Sequence, residues 1–348
     1  MQGGQIFDTV KFLAKFHKPI VLRHTGKIMK AIVRSEYGSP DVLRLEDVAL
    51  PAPKSNEVLI KVHATTVNRT DCANLWGKPW IMKIILGFPK PRQPIPGTDF
   101  AGVIEKVGSD VTLFAVGDKV WGFNDVGLQS HAEYIAMPEN NGITTIPHNF
   151  SFEEAASCAE GAHYAYNFIN KVHLQAGQKV LVNGASGAIG SALVQMVKYC
   201  GLHVTAVCPT KAIDAVRSLG ADKIIDYTVE DFTKDAERYD YVFDAVGKST
   251  FAACKPLLLP KGIYISSELG PKVQNPFLAL ITPLFGGKKV IFPVPSNIPA
   301  SLSFIKGLME QAAFKPLIDR RYALEGIGEA YNYVVSGQKT GNVVITMP

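Results

Sequence analysis

Cysteine is scarce in this sequence: Cys72, Cys158, Cys200, Cys208 and Cys254 stand far apart among 348 residues, with no C-x-x-C pair. That spacing argues against a disulfide framework and against a cysteine-rich zinc site, and reduced thiols fit a cytoplasmic protein. Long hydrophobic runs are missing too. No stretch approaches the roughly 20 apolar residues of a membrane-crossing helix, so an integral span is not expected. A surplus of one charge is also lacking: the formal net charge is +5, and Lys and Arg are dispersed among acids rather than gathered into a stripe. Nucleic acid is therefore not indicated as a partner, although a mildly basic balance suits a small polyanion. Residues 1–28 place Phe12, Leu13 and Phe16 among Lys11, Lys15 and Lys18 but lack the apolar core and cleavage site of a secretion signal. They are expected to form an N-terminal extension, either a translated leader or an amphipathic helix giving weak peripheral membrane association.

What is present divides in two, as a chain of this length favours. Residues 29–150 alternate short apolar runs with Gly and Pro, beginning at Lys30–Arg34 and continuing through Glu57–His63, Gly102–Val107, Lys119–Gly122 and Ala132–Ala136. This spacing predicts a β-rich domain with a partly open barrel. From Ser151 the rhythm changes. Ser151 followed by Glu153 and Glu154 reads as an N-cap with acids in the first turn, opening a helix over 152–170. Six strand candidates then alternate with helical stretches: Lys179–Asn183, His203–Val207, Lys223–Asp226, Tyr241–Asp244, Gly262–Ser266 and Lys289–Phe292. This is the pattern of an α/β fold with a doubly wound parallel sheet over 151–294. Residues 295–348, with a helical segment near Leu302–Gln311 and a strand at Asn342–Thr346, are expected to rejoin the first domain.

The chemistry concentrates at Val180–Lys198. There Gly184, Ser186, Gly187, Ala188, Ile189 and Gly190 lie between a buried strand and an amphipathic helix. Small residues let a backbone turn tightly and approach a pyrophosphate, whose charge meets free N–H groups and the positive helix end. The bland alternative is a tight turn in a sheet that binds nothing, but strand, turn, helix and second strand all follow in order. After the second strand, Val207-Cys-Pro-Thr-Lys211 lacks the acid that usually meets the adenosine ribose of NAD. Thr210 and Lys211 stand there instead, a hydroxyl and a compact cation suited to a ribose phosphate, so NADPH is the expected cofactor. Lys211 also has a plain reading as a solvated residue of the next helix.

Several segments, Met29-Lys-Ala-Ile-Val33, Pro53–Val62, Pro94–Val103, Val116-Gly-Asp-Lys-Val120, the glycine turn and Leu219-Gly-Ala-Asp222, together resemble the medium-chain dehydrogenase/reductase superfamily. Within it the chain is similar to the zinc-independent quinone oxidoreductase group that includes zeta-crystallin. The resemblance covers nearly everything after Met29 and implies a Rossmann domain beside a GroES-like catalytic domain, with a homodimer as the assembly. Where zinc dehydrogenases of this superfamily hold metal, the chain has Asn68, Thr98 and a position near Gly161; none suits zinc, and no structural-zinc cysteine cluster follows Phe123. His131 and His163 are isolated, so no metal is expected.

By the same resemblance Asn68 and Asp71 lie near the nicotinamide ribose, Asn68 able to donate to an acceptor oxygen, with Thr98 lining the pocket. The alternative is an Asn-x-x-Asp turn that stabilises its own backbone. Tyr227 matches a position near the adenosine phosphate, and Val246, Gly247, Ser266 and Leu269 follow strands whose carboxyl ends collect ligands. Without a Lewis acid, reduction of an activated acceptor such as a quinone or enone is favoured. A zinc-free aldehyde or carbonyl reductase is the nearest rival, and an NADPH-binding sensor without useful turnover stays open, because fold alone never proves activity. The apolar segments Trp76–Phe88 and Pro276–Phe285 read equally as substrate flap, packing or association surface.

Overall fold

The computed structural model describes residues 24–348, so residues 1–23 of the leader or surface helix expected over 1–28 lie outside the described residues. An antiparallel pair opens the described residues, β1 (His24–Val33) with β2 (Arg44–Pro51). Its first strand begins earlier than the Lys30 expected from alternation, because His24 and Ile28 pair with Pro51 and Ala49 across a register shift. Residues 24–28 thus belong to the sheet rather than to an extension.

The first domain is a seven-stranded sheet. It contains β3 (Glu57–Val67), β4 (Asp99–Val107), β5 (Lys119–Phe123), β6 (Tyr134–Pro138) and β7 (Ile143–Thr145), joined by β14 (Ile318–Ala323) and β15 (Asn342–Thr346) from the end of the chain. The order is β14-β15-β3-β4-β5-β7, with β6 on β3. The expected return of the chain end is therefore seen directly, as β15 pairs antiparallel with the second half of β3.

The second sheet is parallel throughout: β8 (Lys179–Asn183), β9 (His203–Cys208), β10 (Lys223–Asp226), β11 (Tyr239–Asp244), β12 (Leu258–Ser266) and β13 (Lys289–Ile291). Their order, β10-β9-β8-β11-β12-β13, is the doubly wound arrangement, and the order of strand addition reverses between β8 and β11. Ligands collect at such a switch point, beyond the carboxyl ends of the strands.

Five helices position the site: α1 (Arg69–Trp76), α2 (Ile81–Leu86), α3 (Phe152–Ser157), α4 (Glu160–Ile169) and α5 (Ala188–Tyr199). Ser151 caps α3 as expected, its Oγ accepting from Glu154 N–H at 3.2 Å while the Glu154 carboxylate accepts from Ser151 N–H at 3.0 Å. The single helix expected over 152–170 breaks at Cys158–Ala159, where Ala159 has φ −88° and ψ −90°. One apolar core runs from Trp121 and Phe123 of β5, through Ala155, Ala162 and Phe168, to Val180 and Val182 of β8. The two sheets thus share an interior. Among the described residues no helix is long and apolar enough to cross a membrane. Trp76 and Leu86 turn inward, whereas Trp80 and Phe88 are exposed, as are Phe277, Leu280, Leu284 and Phe285.

Candidate active site

The glycine turn follows β8 at the switch point. Gly184 needs its positive φ of 80°, and a Cβ on Gly190 would lie 2.1 Å from the Gly184 carbonyl oxygen, so the turn closes only with glycine there. Gly187 differs: a Cβ there would meet nothing nearer than the Gly184 oxygen at 3.6 Å. Close approach over Gly187 is therefore free for a ligand rather than used in packing. Ala188 and Ile189 begin α5, and the fit to a pyrophosphate is good, since no side chain caps this helix start and Gly187 leaves room beside it. Behind the turn, a Cβ on Gly161 of α4 would lie 2.8 Å from Ala188 Cβ, which fixes the two helices at close range.

Val246 and Gly247 leave β11 beside this turn, held by Asp244. Its carboxylate accepts from Gly247 N–H at 2.9 Å, Asn183 Nδ2 at 3.0 Å and Tyr264 OH at 2.8 Å. Ser266 Oγ accepts from Glu268 N–H at 3.3 Å, and Leu269 follows at the same edge. The structure thus brings the glycine turn, Val246, Gly247, Ser266 and Leu269 to one rim.

At the carboxyl end of β9 the side chains of Thr210 and Lys211 both have protein partners. Thr210 does not offer a free hydroxyl, because it donates to Asp226 at 2.5 Å and contacts Thr228 Oγ1 at 2.9 Å. The Asp226 carboxylate at the end of the neighbouring strand, β10, takes up both of these hydroxyls. Hydrogen bonds from Thr210 and Thr228 hold the Asp226 pKa below the ordinary carboxylate range. Lys211 reaches across to the other domain, its Nζ donating to the Gln338 carbonyl at 2.6 Å. Tyr227 is half exposed nearby.

Asn68, Asp71 and Thr98 do come together, but as a closed cluster. Asn68 caps α1, its Oδ1 accepting from Asp71 N–H at 2.8 Å while Asp71 accepts from Asn68 N–H at 3.2 Å. Its Nδ2 donates to Thr98 Oγ1 at 2.9 Å and Asp99 Oδ2 at 3.2 Å, with Thr66 Oγ1 at 3.3 Å. Both amide hydrogens are thereby engaged, and no donor remains for an acceptor oxygen. Asn68 thus forms the Asn-x-x-Asp capping turn. Burial raises the carboxyl of Asp99 to about 6 and that of Asp71 well above its usual range, the latter further through Asp99.

Residues that the sequence had not singled out occupy the opening instead. Arg69, next to Asn68, forms an ion pair with Glu268 at 2.9 Å and approaches the Val246 carbonyl at 3.4 Å, crossing between domains. Thr70 Oγ1 donates to Glu160 Oε1 at 2.9 Å and lies 3.3 Å from Tyr164 OH, which donates to Asp125 Oδ1 at 3.1 Å. Lys339, one strand-end away, draws the Glu160 pKa down while burial, the larger effect, raises it. The one legible signal was Glu160 itself, an acid amid small residues in 155–162.

His131 and His163 are buried, and burial lowers both to about 4, so they are neutral packing groups. His131 Nε2 contacts the Thr66 carbonyl at 3.0 Å, and His163 Nδ1 contacts Ser301 Oγ at 2.6 Å. Among the described residues no group of three or more His, Cys, Asp or Glu is arranged to hold a metal ion.

Residues 54–148 match the family described as alcohol dehydrogenase GroES-like domain, and residues 219–345 match zinc-binding dehydrogenase. A 2-methylene-furan-3-one reductase of Solanum lycopersicum is 33% identical over 329 residues, covering 91% of this chain and 79% of the relative. An NADPH-dependent alkenal/one oxidoreductase of Arabidopsis thaliana is also 33% identical, over 92% of this chain and 80% of its own. The solved quinone oxidoreductase of Coxiella burnetii superposes with a TM-score of 0.80 at 26% identity, covering 92% of this chain and all of that one.

Proposed function

The chain is an oxidoreductase of the medium-chain dehydrogenase/reductase superfamily, in its quinone oxidoreductase group, and from this we propose that it reduces a quinone or an α,β-unsaturated carbonyl with NADPH, without zinc. The relatives' names support the acceptor class and a nicotinamide dinucleotide. The observation that carries the zinc-free reading is the donor set at the Asn68–Thr98 contact: an amide and a hydroxyl bonded to each other at 2.9 Å, where zinc would need thiolate or imidazole.

In this reading Gly184, Gly187, Gly190 and the first turn of α5 bind the pyrophosphate, while Val246, Gly247, Ser266 and Leu269 flank the nicotinamide. Lys211 exchanges its carbonyl partner for the ribose phosphate. The bound dinucleotide supplies hydride; the protein orients the two reactants and excludes water. Arg69, tied to Glu268 and Val246, keeps α1 against the far rim. The test is NADPH oxidation by metal-free protein against quinones, enones and saturated aldehydes, with NADH in parallel. Turnover restricted to conjugated acceptors and preferring NADPH supports the proposal. Equal turnover of saturated aldehydes, or binding without turnover, overturns it.

A further inference from the structure

Hydride delivery to a conjugated carbonyl leaves a negative oxygen that must be protonated, and the Asn68 amide, a far weaker acid than a phenol or carboxylic acid, is no source. A chain of hydroxyls begins two residues on, at Thr70. Glu160 and Tyr164 stand one turn apart on α4, and Thr70 of α1 touches both, at 2.9 and 3.3 Å. Tyr164 continues to Asp125 at 3.1 Å, in the loop after β5, whose backbone carbonyl accepts from Asn74 of α1 at 3.1 Å. The Asp125 side chain is 32% exposed, so the far end of the chain meets water. A continuous path of exchangeable protons thus runs from solvent through Asp125 to the hydroxyls of Tyr164 and Thr70.

We infer that Tyr164 is the proton donor to the reduced acceptor and that Asp125 re-protonates it from solvent; this rests on the quinone or enone reductase reading above. In the step, the acceptor gains hydride, two electrons and one hydrogen, from the reduced dinucleotide, which leaves oxidised. The electron pair moves through the conjugated system onto the carbonyl oxygen. The Tyr164 O–H bond breaks toward that oxygen, the Asp125 proton passes to the phenolate, and water protonates Asp125. Two electrons and two hydrogens are transferred in all, the second as a proton. Thr70, held by Glu160, is a positioning residue that holds the phenol oxygen.

With Asp125 ionised the phenol hydrogen points to its carboxylate; once Asp125 is protonated this bond reverses, Asp125 donates to the phenol oxygen and the phenol hydrogen is released toward the acceptor. Burial pushes the Asp125 carboxyl up to about 7, with Glu160 adding to the rise and the Tyr164 hydrogen bond opposing it. The nearest base, His163, lies 3.9 Å away on the same helix as Tyr164, but burial keeps it neutral near 4 and unable to hold Asp125 ionised. Burial, then Asp125 and Glu160, raise the Tyr164 phenol well above its usual range, so it is protonated before each turnover. Arg69 and Lys339 face Glu160, and Asp71 and Asp99 lie beyond it; none is bonded to the phenol.

The experiment measures kcat and KM for NADPH-dependent reduction of one quinone and one enone, from pH 5.5 to 9, for the full chain and its Tyr164→Phe and Asp125→Asn variants. General acid catalysis contributes roughly a hundredfold or more, so Tyr164→Phe is expected to lower kcat by about that factor with acceptor KM within about twofold. In the unsubstituted chain kcat falls as pH rises through about 7, and Asp125→Asn removes that limb. Dinucleotide binding and melting temperature check that each variant folds; should Tyr164→Phe fail to fold, the limb in Asp125→Asn decides. Unchanged kcat in Tyr164→Phe, or a limb that survives in Asp125→Asn, overturns the relay alone. Absence of turnover by the unsubstituted chain overturns the underlying reading, and the relay with it.

Discussion

Lys211 Nζ donates to the carbonyl oxygen of Gln338 at 2.6 Å, joining the end of the second parallel strand to the segment that leads into β15. A few residues on, Gly341 N–H donates to the Ser186 carbonyl at 2.7 Å. The stretch 338–341 therefore lies over the glycine turn, and its lysine contact competes with any phosphate that Lys211 is asked to bind.

Replacing Lys211 with Ala removes that cation. Hydrogen bonds to charged groups contribute about 1.5–3 kcal/mol, so the KM for NADPH is expected to rise about tenfold or more while the KM for NADH stays nearly constant. Steady-state kinetics with both dinucleotides decide; equal changes in the two would assign Lys211 to the domain contact alone.

The glycines of the turn separate packing from binding. Gly190→Ala forces a Cβ against the Gly184 carbonyl and should lower the melting temperature and abolish dinucleotide binding together. Gly187→Ala has room in the fold, so it should melt like the unsubstituted protein yet bind NADPH at least about tenfold more weakly, about 1.4 kcal/mol. Thermal melts and fluorescence titration measure the pair.

Asp125 makes stability fall with rising pH. Its folded pKa of about 7 exceeds the ordinary 3.8, so the native state binds the proton more tightly, and this contribution is lost as pH rises from about 4 through 7. Asp125→Asn should raise the melting temperature at pH 8 relative to the unsubstituted chain and change it little at pH 4, where both side chains are uncharged. A difference equal at the two pH values would be inconsistent with that charge cost.

The Arg69–Glu268 pair joins two side chains that are 48% and 36% exposed. Pairs this open contribute about 0–1 kcal/mol, so Glu268→Gln should leave the melting temperature almost unchanged. If the pair orients α1 for catalysis, kcat/KM should nevertheless fall; a drop in stability without a kinetic change would point to packing instead.

The strands were legible where apolar residues run unbroken: Lys179–Asn183, Lys223–Asp226 and Asn342–Thr346 match the structure at both ends. Less visible was the break between α3 and α4, because Ser157-Cys-Ala-Glu-Gly161 has small residues that suit either a helix or a turn. The start of β1 was hidden because pairing with β2 extends it past the alternating run. At the site, the glycine turn follows from local chemistry, whereas Asn68 looks identical in sequence whether it caps a helix or meets a substrate. The Tyr164–Asp125 and Thr70–Tyr164 contacts link residues 39 and 94 positions apart, a separation no local pattern encodes.

The seven-stranded sheet takes β3 to β7 from the first half of the chain and β14 and β15 from the last 31 residues. During synthesis, then, β3 waits with its β15 edge unpaired while the whole parallel sheet emerges from the ribosome and is free to fold. The nucleotide-binding half can mature first. The earlier-made half is finished last, so a ribosome stalled anywhere before Asn342 releases a chain with an open β3 edge, a template for aggregation.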